Sequence, residues 1–237
     1  MQMIRKFQEG DIIYVKNEDK LNFDVCKILK IEHWFDTSDT WHILWYEPLS
    51  HPPTVDDIQN LTVQGLHAPV ASFHNRAELI ANVPITAQEL EGYYTYLKMT
   101  DFRKYLEETG QEMNTVAQQA IAAYQRGYYL TDEGKLEEAI AAYTEAINIF
   151  PFLYEALDNR AFAYMDLGKY QLAIYDLMTS LEVNPAAFVA TFSLGECYFR
   201  LGDLTAAERF FQEAAALEPE NHLAQEWLLK TKQAATR

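Results

Sequence analysis

The chain has 237 residues, enough for one large domain or two smaller ones, each able to bury a core without staples. Lys plus Arg is 19 and Asp plus Glu is 35, a net charge of −16. That balance argues against the basic surface that nucleic acid or an anionic membrane requires. At 49% hydrophobic and 14% aromatic, the composition is that of a folded chain rather than a disordered one.

No apolar run reaches the ~18–20 residues of a membrane helix. Met1–Gly10 carries no apolar stretch of the signal-peptide kind, so no leader and a cytoplasmic location are expected. Cys26 and Cys197 lie far apart, which predicts free thiols in a reducing compartment rather than a disulfide framework.

In chain order, Asp11–Lys16 reads as a short strand after a turn at Gly10. Phe23, Val25, Leu29 and Ile31 fall at every-other spacing, with Asp24, Lys30 and Glu32 opposite. Trp41, Ile43 and Trp45 alternate with His42, Leu44 and Tyr46, and weaker strand signals follow at Leu61–Val63 and Ala68–Ala71. This pattern predicts a small, strongly bent antiparallel sheet or barrel over residues 1–72, with Val25, Leu29, Trp41 and Ile43 buried on one face. From about Asn75 the period reads as helical. Thr86 and Glu89 form a capping box that opens a helix over Leu90–Lys98, and a further helix, Asp101–Glu108, ends at Gly110. Residues 73–112 are therefore expected to be a helical bridge.

The second half is periodic. Prolines stand at Pro151, Pro185 and Pro219, glycines at Gly134, Gly168 and Gly202, and alanines at Ala139, Ala173 and Ala207, each 34 residues apart. Small residues repeat in the same period at Gly127, Ala161 and Gly195. Within one period, Leu157, Ala161 and Tyr164 share a helical stripe, Gly168 breaks the helix, and Ala173, Leu177 and Ser180 line a second one. One such hairpin cannot bury both its faces, so the units must stack.

These columns, together with Leu130, Tyr143, Ala146, Leu194, Tyr198, Phe211 and Ala214, resemble the tetratricopeptide repeat family over residues 120–219. The implied repeats are 120–153, 154–187 and 188–221. A capping helix over Glu220–Gln233 carries Leu223, Trp227 and Leu228. Repeat one departs most from the pattern, with Ala123 where a large residue is usual and Arg126 where an aliphatic one is. The Gly10 turn and alternating strands are similar, at the level of fold, to small barrels of some bacterial toxin-immunity proteins. The expected fold class is α+β, mainly α. It comprises a small antiparallel β barrel-like domain (1–72), the bridge (73–112), and a helical-hairpin array, an α-solenoid, with its cap (113–237).

The resemblance implies that the first helix of each repeat lines a concave groove. The positions so implied are Tyr124, Tyr128, Thr131 and Asp132, then Asp158, Asn159, Phe162, Met165 and Asp166. Repeat three adds Val189, Phe192, Glu196, Phe199 and Arg200. The partner-binding candidates are Tyr124, Tyr128, Asn159, Phe162, Met165, Phe192, Phe199 and Arg200, because aromatics, Met and Arg anchor interfaces. Some family members grip a chaperone's C-terminal carboxylate with Lys, Asn and Arg. Here Asn159 alone matches that clamp, while Tyr124, Tyr128, Val189 and Ser193 stand at its other positions.

The expected function is a non-enzymatic adaptor that binds an apolar or amphipathic segment of a protein partner in the groove. The alternative is a bacterial immunity-type protein that neutralises a toxin through its acidic surface. A segment of the chain itself, or a second copy, filling the groove stays open. His33, His42, His51, His67 and His74 fit no compact ligand motif and read as scattered strand and loop residues. No metal, cofactor or catalytic residue is expected.

Overall fold

The structure, a computed structural model, describes residues 7–17, 19–33, 39–71 and 76–235. It divides into two compact units at Thr109/Gly110. His74 lies outside the described residues. Among them, no helix is long and apolar enough to cross a membrane.

Among the described residues, the first unit is built on an antiparallel sheet of five strands: β1 (Asp11–Asn17), β2 (Asn22–His33), β3 (Asp39–Tyr46), β4 (Val63–Ala71) and β5 (Ala77–Asn82). Their order is β4-β3-β2-β1-β5. Pro69 is tolerated because β4 is an edge strand, where a missing N–H breaks no ladder on the outer side. Gly10 takes φ +88, and a Cβ there would lie 2.8 Å from the Val83 carbonyl oxygen. Its amide donates to the Ile28 carbonyl at 2.8 Å and its carbonyl accepts from Val83 N at 2.9 Å. The glycine thus lets β1 start between its two neighbours.

Val25, Leu29, Trp41 and Ile43 are all buried, as their alternation predicts, but they do not share a face. Trp41 and Ile43 join Phe7, Ile13, Cys26 and Ile28 in one cluster. Val25 and Leu29 join Ile12, Leu44 and Tyr46 in another. The sheet is buried on both sides, and a β-bulge between Ile28 and Lys30 shifts the parity of β2. That is why Ile28 and Ile31 pack with the same cluster three residues apart.

The expected bridge over 73–112 is corrected in its first part. Residues 77–82 form β5, paired antiparallel with β1, rather than helix. The two following helices, α1 (Glu91–Thr100) and α2 (Phe102–Thr109), belong to the same unit as the sheet. The sheet domain therefore does not end at residue 72. Thr86 N donates to Glu89 Oε2 at 2.7 Å and Glu89 N to Thr86 Oγ1 at 3.3 Å, which closes the expected capping box ahead of α1. The same carboxylate takes two hydrogen bonds from Lys27 Nζ, at 2.8 and 2.9 Å, and the ammonium also donates to the Pro84 carbonyl at 2.9 Å. Lys27 is thereby buried with its charge satisfied.

The second unit is helical: α3 (Met113–Asp132), α4 (Leu136–Ile149), α5 (Tyr154–Asp166), α6 (Tyr170–Val183), α7 (Phe188–Leu201), α8 (Leu204–Leu217) and α9 (His222–Ala235). Helices α3–α4, α5–α6 and α7–α8 pair as successive hairpins; each hairpin packs on the next, and α9 closes the array against α8. The three turns are alike. Gly134, Gly168 and Gly202 take φ of +75, +69 and +83. At each, the residue after the glycine donates back to the carbonyl of Leu130, Tyr164 or Tyr198, at 2.9, 2.8 and 3.0 Å. The glycine itself donates to the next residue's carbonyl, Thr131, Met165 or Phe199. This double closure is a Schellman cap, which needs a left-handed residue where the glycine stands. Helix α3 begins before the first repeat's expected start at 120.

Candidate functional site

Helices α3, α5 and α7 lead the three hairpins, and α3 also touches α5 directly. Their shared face carries the residues expected to bind a partner. On α3, Tyr124 is half-buried with its ring tilted against Tyr143 at 5.9 Å, and Tyr128 is 49% exposed. On α5, Asn159 Nδ2 donates to the Glu155 carbonyl at 2.7 Å and to the Tyr124 hydroxyl at 3.4 Å. This ties α5 to α3 across the face. Phe162 and Met165 are half-buried and pack on the core of the second hairpin.

Two arginines one helical repeat apart are committed elsewhere. Arg160 forms two 2.7 Å hydrogen bonds to the carboxylate of Asp176 on α6 and one of 2.8 Å to Thr144 on α4. Arg126 pairs with Glu145 on α4. Both stand where the repeat pattern favours an aliphatic residue. The Arg160–Asp176 pair is largely buried between α5 and α6, whereas Arg126 and Glu145 are both exposed.

The third repeat differs from expectation. Phe192 is buried: it stacks on Phe188 at 5.8 Å and packs against Phe211 at 5.3 Å and Trp227 at 6.3 Å. It is core rather than an open anchor, because the capping helix α9 brings Trp227 onto it. Phe199 meets the same indole edge-on at 5.4 Å. Lys230 Nζ lies 3.9 Å over the Trp227 ring and 5.3 Å over that of Phe199. Arg200 and Val189 are exposed. The chain's own last helix therefore covers the apolar residues at this end, while α3 and α5 keep Tyr128 open.

The electrostatics divide in the same way. Burial raises the Glu196 carboxyl, opposed by the nearby cations Arg200 and Lys230. Burial raises that of Asp158 as well, opposed by Ser180 and reinforced by Glu155. Burial also raises the Tyr124 phenol, with Glu155, Tyr128 and Asp158 adding to it against the hydrogen bond from Asn159.

A polar cluster in the first unit escaped the sequence. His42 and His67 are not scattered: Nδ1 of the fully buried His42 lies 2.8 Å from Nε2 of His67. Tyr93 and Tyr96 of α1 pack on both rings, with centroids 4.9–5.9 Å away. Glu32 Oε2 lies 3.4 Å from His42 Nε2, and its other oxygen accepts from Lys104 of α2. Tyr93 donates to Glu108 at 2.9 Å. Burial, with His42 adding to it, pushes His67 down to about 4. Burial also lowers His42 against the pull of Glu32. The pair is neutral at neutral pH and ties β3 to β4 under α1. Among the described residues, no three His, Cys, Asp or Glu side chains gather into a group that could hold a metal ion. Cys26 and Cys197 are free and buried, and burial pushes both thiols up to about 12.

Family models described as tetratricopeptide repeat match residues 120–152 and 159–222. RNA polymerase II-associated protein 3 of Mus musculus is 30% identical over 120 residues, which is 51% of this chain and 18% of that protein. DnaJ homolog subfamily C member 7 of Homo sapiens is 31% identical over 120 residues, 51% of this chain and 23% of that one. The match thus takes in about half of this chain and about a fifth of each relative. These relatives are eukaryotic and lend nothing to a bacterial source. Among solved structures, the first TPR of Spaghetti bound to the HSP90 peptide SRMEEVD is 30% identical with a TM-score of 0.50. It is covered over 96% of its length by 51% of this chain.

Proposed function

Since the chain belongs to the tetratricopeptide repeat family over residues 120–152 and 159–222, we propose that it is a protein-interaction adaptor. Its α3–α5–α7 face takes an apolar or amphipathic segment of a partner protein. The observation that carries this reading is the lining of α3 and α5. Tyr124, Phe162 and Met165 pack on the cores of the hairpins yet stay partly accessible, and Tyr128 is 49% exposed. Burying one large side chain stabilises by roughly 1.5–3 kcal/mol, so two or three anchors give micromolar binding after ordering costs.

The neighbour bound to SRMEEVD supports a peptide in this groove, but its ligand is acidic. By the family resemblance, Tyr124, Tyr128, Val189 and Ser193 stand where some members carry the cations and amide of a carboxylate clamp, and Ser193 is buried. Without cations there, a carboxylate leaving water finds no charge-assisted partner.

The test is a displayed library of random short peptides, with affinities of the selected peptides then measured by fluorescence anisotropy. SRMEEVD serves as a comparison. Selected peptides should be rich in apolar residues, change little in affinity with salt, and lose more than about tenfold in Phe162→Ala, about 1.4 kcal/mol. SRMEEVD should bind weakly. Undiminished binding to Phe162→Ala, combined with steep salt dependence, would place the partner on the acidic outer surface instead. That is what the toxin-neutralising alternative requires.

A further inference from the structure

We infer that the outer face of α6 is a second docking surface, which takes an amphipathic helix edged with Lys and Arg from a partner protein. It lies on the second helix of the middle hairpin, not on the leading helices of the groove, and does not depend on the groove reading. Its basis is a contrast between repeats that share one backbone. Leu172, Tyr175 and Met178 are 50%, 69% and 45% exposed. They stand three residues apart on α6 and so form one stripe about 9 Å long. At the equivalent positions, 34 residues away in either direction, α4 carries Glu138, Ala141 and Thr144, and α8 carries Ala206, Arg209 and Gln212. The same hairpin thus forms with small or polar residues there, and its packing does not call for the apolar three. A single exposed apolar side chain needs no explanation, but a stripe confined to one of three equivalent helices does.

The surroundings of the stripe name its occupant. Arg160 holds α4 beside α6, since one guanidinium donates to Thr144 of the first at 2.8 Å and to Asp176 of the second at 2.7 Å. Glu137, Glu138 and Glu145 of α4, Glu182 of α6 and Glu213 of α8 are all exposed. Arg126 offsets Glu145, Arg209 offsets Glu213, and Lys135 pairs with Glu133. That leaves Glu137, Glu138 and Glu182 against Lys169, at the turn before α6. The balance around the stripe is therefore acidic. A helix with an apolar face covers the three side chains, and Lys or Arg along its edges meets the remaining carboxylates. A second copy of this chain brings like charge instead, at −16 per copy.

The experiment uses the full chain carrying Phe162→Ala, which weakens the groove, and a helix-forming peptide of about 14 residues. The peptide has Leu on one face and Lys along both edges of that face. A second peptide has Glu in place of Lys, and affinity is read by fluorescence anisotropy. The Lys peptide should bind at least about tenfold tighter than the Glu peptide. Adding Leu172→Ala, Tyr175→Ala and Met178→Gln installs residues that the sibling helices already carry at these positions and leaves the charge unchanged. This variant should melt as its parent does and lose at least about tenfold in affinity for the Lys peptide. Tyr175→Ala alone, at the most exposed of the three, should lose about threefold. Undiminished binding after the triple change overturns the inference, by placing the peptide elsewhere on the acidic surface. Equal binding of the Lys and Glu peptides, or binding of neither, overturns it as well. A triple variant that melts well below its parent does the same, because the stripe then serves the fold. A protein that dimerises by analytical ultracentrifugation, and becomes monomeric on the triple change, gives the face to a second copy instead. None of these outcomes bears on whether Phe162 anchors a peptide in the groove.

Discussion

Gly195→Ala adds a single methyl group to the centre of the third repeat. That methyl would lie 2.6 Å from Cε1 and 2.7 Å from Cδ1 of Phe211, well inside contact distance, and Phe211 is fully buried. The first repeat has the same arrangement, with Gly127 against the ring of Tyr143 at 2.6 Å. The second repeat solves the packing differently: Ala161 shares a core cluster with Leu177. Across the 34-residue period, a glycine is thus matched with an aromatic ring and an alanine with a leucine. Overpacking a core costs about 1–3 kcal/mol, and alanine returns up to about 1 kcal/mol of helix propensity over glycine. With a clash this close, the net loss should be about 1–2 kcal/mol. Phe211→Leu alone leaves a cavity over Gly195 and should cost about 1–2 kcal/mol. The double variant rebuilds the alanine–leucine pair of repeat two and should be more stable than the sum of its parts by about 1 kcal/mol or more. Urea denaturation of the four proteins, followed by circular dichroism at the helical minimum, measures this. Gly195→Ala as stable as the parent, or a double variant additive within about 0.5 kcal/mol, would refute the volume-matching argument.

Three further outcomes are expected. Glu89→Ala strands the Lys27 ammonium, which is 2% exposed, and should cost about 3–5 kcal/mol of stability in the first unit. Lys27→Met with Glu89→Leu should recover most of it, and thermal melts in the near ultraviolet would show a flaw in this account if the double variant is the weaker. The His67 imidazole should titrate near 4 by proton NMR, not near its ordinary 6.5. Its folded value is depressed, so the unfolded chain takes up the proton first; the stability it contributes is whole above 6.5 and is lost as pH falls from there toward 4. A midpoint near 6.5 would contradict the buried pair. Cys26 and Cys197, with thiols pushed up to about 12, should resist Ellman's reagent in the native protein and react on denaturation. Rapid native reaction of either would count against its burial.

The sequence by itself determined the repeat array and its three glycine turns, though not that α3 starts as early as Met113. In a stacked array each hairpin touches only its neighbours. The contacts that hold it are therefore written at short, regular separations: Gly168 as a left-handed cap, Ala161 and Ala173 where two helices approach. The first four strands were legible for a similar reason, since alternation is local. What tertiary structure decided lies where distant segments meet. Residues 77–82 carry two alanines, a glutamate and a leucine, all at home in a helix, and become β5 because Gly10 opens a place beside β1. The register that sets Cys26 opposite Trp45 puts Val25 and Trp41 on opposite faces, and a bulge at Leu29, invisible in the pattern, moves Ile31 off the face of Val25 and Leu29. His42 and His67 meet because β3 and β4 pair in a register that sets His42 opposite Pro69. Spacing alone does not encode that register. Among the groove residues, composition could not separate Phe192 from Phe162. Both lie on the leading face of a hairpin, and Phe192 alone is sealed, by a tryptophan 35 residues further along the chain.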